Sequence, residues 1–135
     1  MSFDSRPYSV LVVDDDKKIC DLIKAFLKVG TEDLQTVVAN DATQALFKLE
    51  NQEFHVLILD QNLPGKSGVE FVRQLRKMLK HSSIRVVLMS AILSKEDVQS
   101  ALQVGIDDIL VKPFTFAQMM AKIRPLLKKP TQTLI

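Results

Sequence analysis

Residues 55–65 read His55-Val56-Leu57-Ile58-Leu59-Asp60-Gln61-Asn62-Leu63-Pro64-Gly65. In this stretch an apolar run is followed directly by an aspartate, Asp60. Four consecutive apolar residues are too few for a helix and predict a strand that is buried on both faces of a sheet. Pro64 and Gly65 predict a turn directly afterwards, because proline restricts φ and glycine tolerates a positive φ. Asp60 is therefore expected at the carboxyl end of a buried strand, where open α/β sheets bind their ligands.

Similar strands and helices alternate along the rest of the chain. Apolar runs predict strands at residues 10–13, 35–39, 56–59, 86–89 and 109–111. Apolar residues at helical spacing predict a helix after each strand, and Asp16 is expected to cap the first helix. Gly30 and Gly105 are expected to end the first and fourth helices, and Pro125 to kink or end the fifth. This alternation predicts an α/β fold: a single domain with a doubly wound, five-stranded parallel sheet and five helices on its two faces.

Length, composition and charge limit the class of protein. The chain has 135 residues, 47% of them hydrophobic and 25% charged, which is typical of one globular domain. A net charge of +2 is too small to indicate nucleic acid as the partner. The single cysteine, Cys20, excludes an internal disulfide and is typical of a reducing compartment. The sequence contains neither a membrane-spanning run nor a signal-peptide core, so a cytoplasmic location and no membrane partner are expected.

The third predicted helix carries a basic face. Arg73, Arg76, Lys77 and Lys80 follow one another at helical spacing, opposite the apolar residues of the same helix. A solvated outer face is the favoured interpretation of this pattern, and a patch for an acidic partner is the weaker alternative.

Polar residues follow four of the predicted strands. Because parallel strands end at the same edge of a sheet, Asp14, Asp15, Asp60, Ser90 and Lys112 are expected to lie together at that edge. Two carboxylates about 4 Å apart repel each other by up to ~4 kcal/mol at an effective dielectric near 20, so this cluster needs a cation. The lysine supplies one positive charge, and ligation by oxygen atoms alone suits Mg²⁺. The sequence therefore predicts a magnesium site.

The motifs at these strand ends resemble those of the response-regulator receiver domain. They read Val10-Leu11-Val12-Val13-Asp14-Asp15-Asp16, Ile58-Leu59-Asp60-Gln61-Asn62-Leu63-Pro64-Gly65-Lys66-Ser67-Gly68, Met89-Ser90-Ala91 and Val111-Lys112-Pro113-Phe114. The resemblance implies a flavodoxin-like sheet with strand order 2-1-3-4-5 and a receiver domain at residues 8–128. Residues 1–7 are expected to form a disordered lead, and residues 129–135 a flexible tail.

The resemblance also implies the chemistry of the site. Asp60 is implied to be the phosphoacceptor, whose carboxylate attacks a phosphoryl group and forms an acyl phosphate. Asp15 is implied to ligate Mg²⁺ directly, and Asp14 to do so mainly through water. Asp60 itself and the backbone carbonyl of Asn62 complete the implied set of metal ligands. The ion would bridge carboxylate and phosphoryl oxygens and spread the charge of the transition state.

Further positions are implied to respond to the phosphoryl group. The Ser90 hydroxyl and the Lys112 ammonium would each bind one of its oxygens. The peptide bond between Lys112 and Pro113 is expected to be cis, as it is in the family. Ile109 stands where the family usually has a switch residue of the tyrosine or phenylalanine type. An isoleucine side chain has fewer rotamers and a shorter reach, so this chain departs from the family at that position.

The function implied by the resemblance is that of a switch in a two-component phosphorelay. A sensor histidine kinase or a histidine phosphotransfer protein would donate the phosphoryl group. Helix four, strand five and helix five would then change their surface for a downstream protein, with no nucleic acid bound by this chain. The chain would not be an enzyme beyond its own phosphorylation and dephosphorylation. Whether it is a stand-alone protein or a module of a longer one is left open.

The sequence also allows three other interpretations of these residues. Asp60 could merely cap a helix or bond within its loop, as a lone aspartate after a strand more often does. Asp14 and Asp16, spaced two apart after a strand, also resemble the nucleophile motif of haloacid-dehalogenase phosphatases. The third interpretation is a receiver fold that binds partners without phosphate, and the departure from the family at Ile109 supports it. A flavin or dinucleotide fold is disfavoured, because three acids end the first strand and the chain has no glycine-rich loop.

Overall fold

Five parallel strands form the central sheet of the structure, a computed structural model that describes residues 8–128. The strands are β1 (Tyr8–Val13), β2 (Leu34–Ala39), β3 (Val56–Asp60), β4 (Arg85–Ser90) and β5 (Asp108–Val111). They are hydrogen-bonded in the order β2-β1-β3-β4-β5, which confirms the predicted order. The lead and tail expected at residues 1–7 and 129–135 lie outside the described residues.

Five α-helices connect and follow the strands. They are α1 (Lys17–Gly30), α2 (Ala42–Asn51), α3 (Gly68–Arg76), α4 (Lys95–Gln103) and α5 (Phe116–Lys128). Asp16 caps α1 as predicted, because its side chain accepts a hydrogen bond from the Lys18 amide. Pro125 was predicted to kink or end α5; the helix does not end there, because it includes this proline and continues to Lys128. No helix within residues 8–128 combines the length and apolar character needed to cross a bilayer.

The sheet separates two apolar clusters. Along β1, Leu11 and Val13 point into one cluster, while Val10 and Val12 point into the other, as expected for side chains that alternate along a strand. Helices α2, α3 and α4 cover the first cluster, and α1 and α5 cover the second. The strands are therefore buried on both faces, which explains their continuous apolar sequences. This packing makes the strand ends a rigid base for the polar residues that follow them.

The prediction that Arg76 lies on a solvated face is wrong. Its Nε donates to the carbonyl oxygen of Val104 at 2.9 Å, and its Nη2 donates to that of Gly105 at 2.9 Å. Its Nη1 donates to the carbonyl oxygen of Ile84 at 2.5 Å. Arg73, by contrast, is exposed as predicted. The Arg76 guanidinium joins the end of α3 to the carboxyl end of α4 and to the residue that precedes β4.

Replacing Arg76 is expected to destabilise the domain. Arg76→Gln should lower the free energy of unfolding by about 2 kcal/mol, because three carbonyl groups in two separate segments lose a charged donor. Urea denaturation followed by circular dichroism measures this loss. Arg73→Gln is the matched control on the same helix and should change the free energy by less than about 0.5 kcal/mol. Equal stability of the two variants would show that the Arg76 contacts contribute nothing.

Candidate functional site

Three carboxylates meet where β1 and β3 end. Asp14 and Asp15 directly follow β1, and Asp60 is the last residue of β3. Oxygen atoms of these three side chains all lie within 4.8 Å of one another. Asp14 and Asp60 are 0% and 5% exposed, whereas Asp15 faces solvent. The structure therefore brings together the acidic residues that the sequence predicts at this edge.

Lys112 reaches the buried pair from the end of β5. Its Nζ lies 2.8 Å from Asp14 Oδ2 and 3.3 Å from Asp60 Oδ1. Burial lowers the pKa of Lys112, but its hydrogen bond to Asp14 and the charge of Asp60 outweigh this effect and raise the pKa above its ordinary value. Burial, and next the Asp14 charge, raise the pKa of Asp60, while the nearby lysine opposes this shift. The ammonium group is thus the counterion of both buried carboxylates.

Hydrogen bonds hold both the side chain and the backbone of Asp14 in place. Asp14 Oδ1 accepts a hydrogen bond of 2.9 Å from the Asp16 amide. Its carbonyl oxygen accepts from Asn40 Nδ2 at 3.2 Å and from Cys20 Sγ at 3.4 Å. Burial and the Asp14 charge raise the pKa of the Cys20 thiol to about 11, so this thiol is protonated at neutral pH. Asn40 and Cys20 therefore support the site, a role that their positions in the sequence do not indicate.

A short hairpin follows Asp60. Asn62–Leu63 pairs antiparallel with Lys66–Ser67, and Gly65 between them has φ +77°, which confirms the predicted turn. Gln61, just before this hairpin, is buried, and its Oε1 accepts a hydrogen bond of 2.9 Å from the Val69 amide. Gln61 thereby fastens the residue after Asp60 to the start of α3. Sequence reasoning missed this role, because the partner of a glutamine depends on the fold.

Gly68 allows the first turn of α3 to lie against Asp60. A Cβ atom at this position would be 2.7 Å from the Asp60 carbonyl oxygen and 2.8 Å from Leu88 Cδ1. The Gly68 amide also donates to the carbonyl oxygen of Gln61 at 2.9 Å. Only a residue without a side chain fits here, so this glycine brings the start of α3 next to the predicted acceptor.

The other predicted site residues lie around this cluster. Ser90, the last residue of β4, is fully buried, and its Oγ donates to the carbonyl oxygen of Ile92 at 2.7 Å. Asn62 is exposed, and its backbone N–H lowers the pKa of Asp60. Ile109 packs against the first apolar cluster. The bond between Lys112 and Pro113 is cis, as predicted.

The donor set fits a magnesium ion. Three carboxylates face one ammonium group, so the cluster keeps an excess of negative charge. All the candidate ligands are oxygen atoms, which Mg²⁺ prefers, and the exposed Asp15 leaves the site open to solvent. A cavity of about 400 Å³ lies beside Asp15, between the hairpin and Glu70.

A doubly wound α/β domain with an acidic cluster and a lysine at the carboxyl edge of its sheet is the architecture of a phosphoacceptor switch. The chain belongs to the response regulator receiver domain family, whose family model matches residues 10–124. The predicted family, fold and class of function are thereby confirmed. Receiver domains of two-component systems accept a phosphoryl group on an aspartate and generally bind Mg²⁺ at an acidic pocket. They interact with histidine kinases and downstream partners.

The chain is similar in sequence to a sensory transduction protein and to a DNA-binding response regulator. The chain is 32% identical over 121 residues to the sensory transduction protein RegX3 of Mycolicibacterium smegmatis, covering 90% of this chain and 51% of that protein. It is 32% identical over 126 residues to the DNA-binding response regulator MtrA of Mycobacterium tuberculosis, covering 93% and 53%. The chain thus spans about half the length of these relatives.

Two solved structures show the closeness of the fold. The chemotaxis response regulator CheY4 of Vibrio cholerae superimposes with a TM-score of 0.81 and 28% identity, covering 89% of this chain and 98% of that one. The receiver domain of the Francisella response regulator 1452 superimposes with a TM-score of 0.79 and 33% identity, covering 90% and 97%.

Proposed function

We propose that Asp60 is the phosphoacceptor of this receiver domain, which extends over residues 8–128. The observation that carries this proposal is the position of Lys112 Nζ, 3.3 Å from Asp60 Oδ1 and 2.8 Å from Asp14 Oδ2, with the Asp15 carboxylate in the same cluster. Both carboxylate oxygens of Asp14 already accept hydrogen bonds, Oδ1 from the Asp16 amide and Oδ2 from Lys112, which disfavours the alternative in which Asp14 is a phosphatase nucleophile.

The residues that would hold Mg²⁺ are the carboxylates of Asp14, Asp15 and Asp60 and the backbone carbonyl of Asn62. When bound, the ion neutralises negative charge between the carboxylates and the incoming phosphoryl oxygens. Asp15 is the exposed member of the three carboxylates, so ligands reach it from solvent. Asp14 is fixed by the Asp16 amide and by Lys112, so it contributes its charge from one position.

The proposed reaction transfers a phosphoryl group from the donor's histidine to Asp60. An oxygen atom of Asp60 forms a bond to phosphorus while the bond from phosphorus to the donor's imidazole nitrogen breaks, and the electron pair leaves with that nitrogen. The product is an acyl phosphate on Asp60. Lys112, already within 3.3 Å of this carboxylate, pairs with one of the new phosphoryl oxygens. Water later hydrolyses the acyl phosphate, and these two self-reactions are the only chemistry proposed for the chain.

Ser90 links the acyl phosphate to the surface of the domain. In the structure its hydroxyl donates to Ile92 within its own loop. Turning this hydroxyl to a phosphoryl oxygen breaks that hydrogen bond and releases the loop that leads into α4. Ile109 packs against the apolar cluster, so the loop of Ser90, rather than an aromatic ring at position 109, is proposed to carry the signal.

The proposed output surface consists of α4, β5 and α5. Exposed apolar side chains on or next to α4 and β5 support a role in protein binding; they are Ile92, Leu102 and Val111. The proposed donor is a sensor histidine kinase or a histidine phosphotransfer protein, and the receiving partner is a protein. The cytoplasmic location and the absence of nucleic-acid binding by this chain stay predictions from the sequence.

Phosphorylation by acetyl phosphate tests the proposal. With Mg²⁺, the intact mass should increase by one phosphoryl group, and chelation of the ion should prevent the increase. Asp60→Asn should abolish it, because an amide oxygen is a far weaker nucleophile than a carboxylate. Asp16→Asn is the matched control, since the Asp16 side chain caps α1, asparagine can also cap it, and the backbone amide that binds Asp14 is kept; this variant should be labelled like the unsubstituted protein. Labelling that persists in Asp60→Asn would overturn the assignment.

A further inference from the structure

The outer edge of β2 has open backbone hydrogen-bonding groups. Within residues 8–128, β2 is hydrogen-bonded to β1 alone and lies at the end of the sheet. The Ala39 carbonyl accepts from the Asp14 amide, so the backbone of Ala39 faces β1. Because the backbone groups of successive strand residues point to opposite sides, those of Leu34, Thr36 and Val38 point away from the sheet.

This edge lacks the features that usually prevent a strand from pairing with another chain. Its sequence, Leu34-Gln35-Thr36-Val37-Val38-Ala39, contains no charged residue and no proline. Its pairing with β1 runs through all six residues in one register, so no bulge interrupts it. The opposite edge differs, because β5 carries Asp108 in an ion pair of 3.0 Å with Lys122. The two edges of the sheet are therefore not equally protected.

A cavity flanks the β2 edge on each face of the sheet. On the α1 side, a cavity of about 430 Å³ is lined by Leu34, Thr36 and two lysines of the helix, Lys24 and Lys28. On the α2 side, a cavity of about 470 Å³ is lined by Val38, Phe47 and Lys48, among others. The Phe47 side chain is 66% exposed. A strand added to β2 would place alternate side chains in the two cavities.

We propose that the outer edge of β2 binds an extended segment of another protein whose residues alternate between acidic and apolar. The acidic residues would lie beside Lys24 and Lys28, because the cavity on that side has two lysines and a single carboxylate, Asp33. The apolar residues would cover the exposed ring of Phe47. Such binding does not require phosphorylation of Asp60, so it is a second interaction of this domain.

Charge disfavours a second copy of this chain as the occupant. If two β2 strands paired antiparallel about a two-fold axis, the α1 helices of both copies would lie on the same face of the joined sheet. Lys24 and Lys28 would then face the same lysines of the other copy, and like charges repel. An acidic strand meets no such repulsion.

A synthetic capped peptide of alternating glutamate and valine is the probe. Titrated into ¹⁵N-labelled protein, it should shift the amide signals of Leu34, Thr36 and Val38 in a saturable manner. Thr36→Pro removes one outward N–H and leaves the amides that face β1 intact, so binding should weaken about tenfold. No saturable shift at these three amides would overturn the proposal.

Charge reversal supplies a test that does not depend on a proline being tolerated. Lys24→Glu combined with Lys28→Glu should weaken binding of the glutamate–valine peptide at least as strongly as Thr36→Pro does. The same double variant should instead bind a peptide of alternating lysine and valine. Arg73→Glu combined with Lys77→Glu, on the exposed face of α3, is the matched control and should bind as the unsubstituted protein does. The proposal would also be overturned if the control pair weakened peptide binding equally. It would likewise be overturned if, without peptide, the protein had a doubled mass in solution and the amide signals of β2 were shifted.

Discussion

Gly68→Ala is expected to destabilise the domain by about 3 kcal/mol and to slow its phosphorylation. The added methyl group would lie 2.7 Å from the Asp60 carbonyl oxygen and 3.1 Å from Gln61 Cα, and both of these atoms belong to the backbone. A rigid backbone at a strand end cannot move aside without displacing Asp60 itself. Urea denaturation measures the first effect, and the rate of labelling by acetyl phosphate with Mg²⁺ measures the second.

Gly30→Ala is the matched control for this substitution. A Cβ atom at Gly30 would be equally close to its neighbours, 2.8 Å from Met120 Cε and 2.9 Å from Met120 Sδ. These atoms end a flexible side chain, which moves at little cost, and Phe116 Cζ is farther away at 3.1 Å, so the loss of stability should be smaller than in Gly68→Ala and the labelling rate should hardly change. If the two alanine variants behaved alike, the close approach of α3 to Asp60 would not be essential to the site.

Lys112→Met is expected to lower the free energy of unfolding by about 3 kcal/mol at neutral pH in the absence of Mg²⁺. The methionine fills a similar volume, but it leaves Asp14 and Asp60 buried without their counterion. Breaking a buried ion pair at one partner costs far more than the pair contributes when intact, because a charge stays desolvated. The same variant should accumulate less phosphorylated protein, since the new phosphoryl group would have no ammonium partner.

The effect of Lys112→Met depends on pH in a defined direction. Burial and Asp14 already raise the pKa of Asp60 above its value in the unfolded chain, and the loss of the lysine raises it further. A raised carboxyl pKa favours the folded state below the unfolded pKa, and this contribution is lost as the pH rises through the folded pKa. The difference in stability between the variant and the unsubstituted protein should therefore be small near pH 4 and grow towards neutrality.

Lys122→Met is the matched control for the removal of a lysine. Lys122 pairs with Asp108 at 3.0 Å, but both side chains are more than a third exposed. An exposed pair contributes at most about 1 kcal/mol, because water solvates the partner that remains. Urea denaturation between pH 4 and pH 8 compares the two variants. Equal losses at every pH would show that the Asp14 and Asp60 carboxylates do not need Lys112.

The sequence correctly predicted the structural features that depend on residues close together in the chain. The five strands, the cap at Asp16 and the turn at Gly65 follow from apolar runs, from side chains that bond to nearby amides, and from the freedom of φ in glycine. Pro125 shows the limit of such local rules. Proline disfavours a helix interior, yet α5 continues through it, and Leu126 and Leu127 beyond it are buried in the core.

The sequence by itself determined the order of strands and helices and the kinds of side chain that end each strand, because both depend on local periodicity and on residue chemistry. Tertiary structure alone decided which atoms of those side chains pair and at what distances. Lys112 and Asp14 are 98 residues apart, yet their atoms are 2.8 Å apart, and Arg76 binds carbonyl groups up to 29 residues away. A long charged side chain finds its partner atoms only after the strands have set their distances, so no local pattern encodes these atomic pairings.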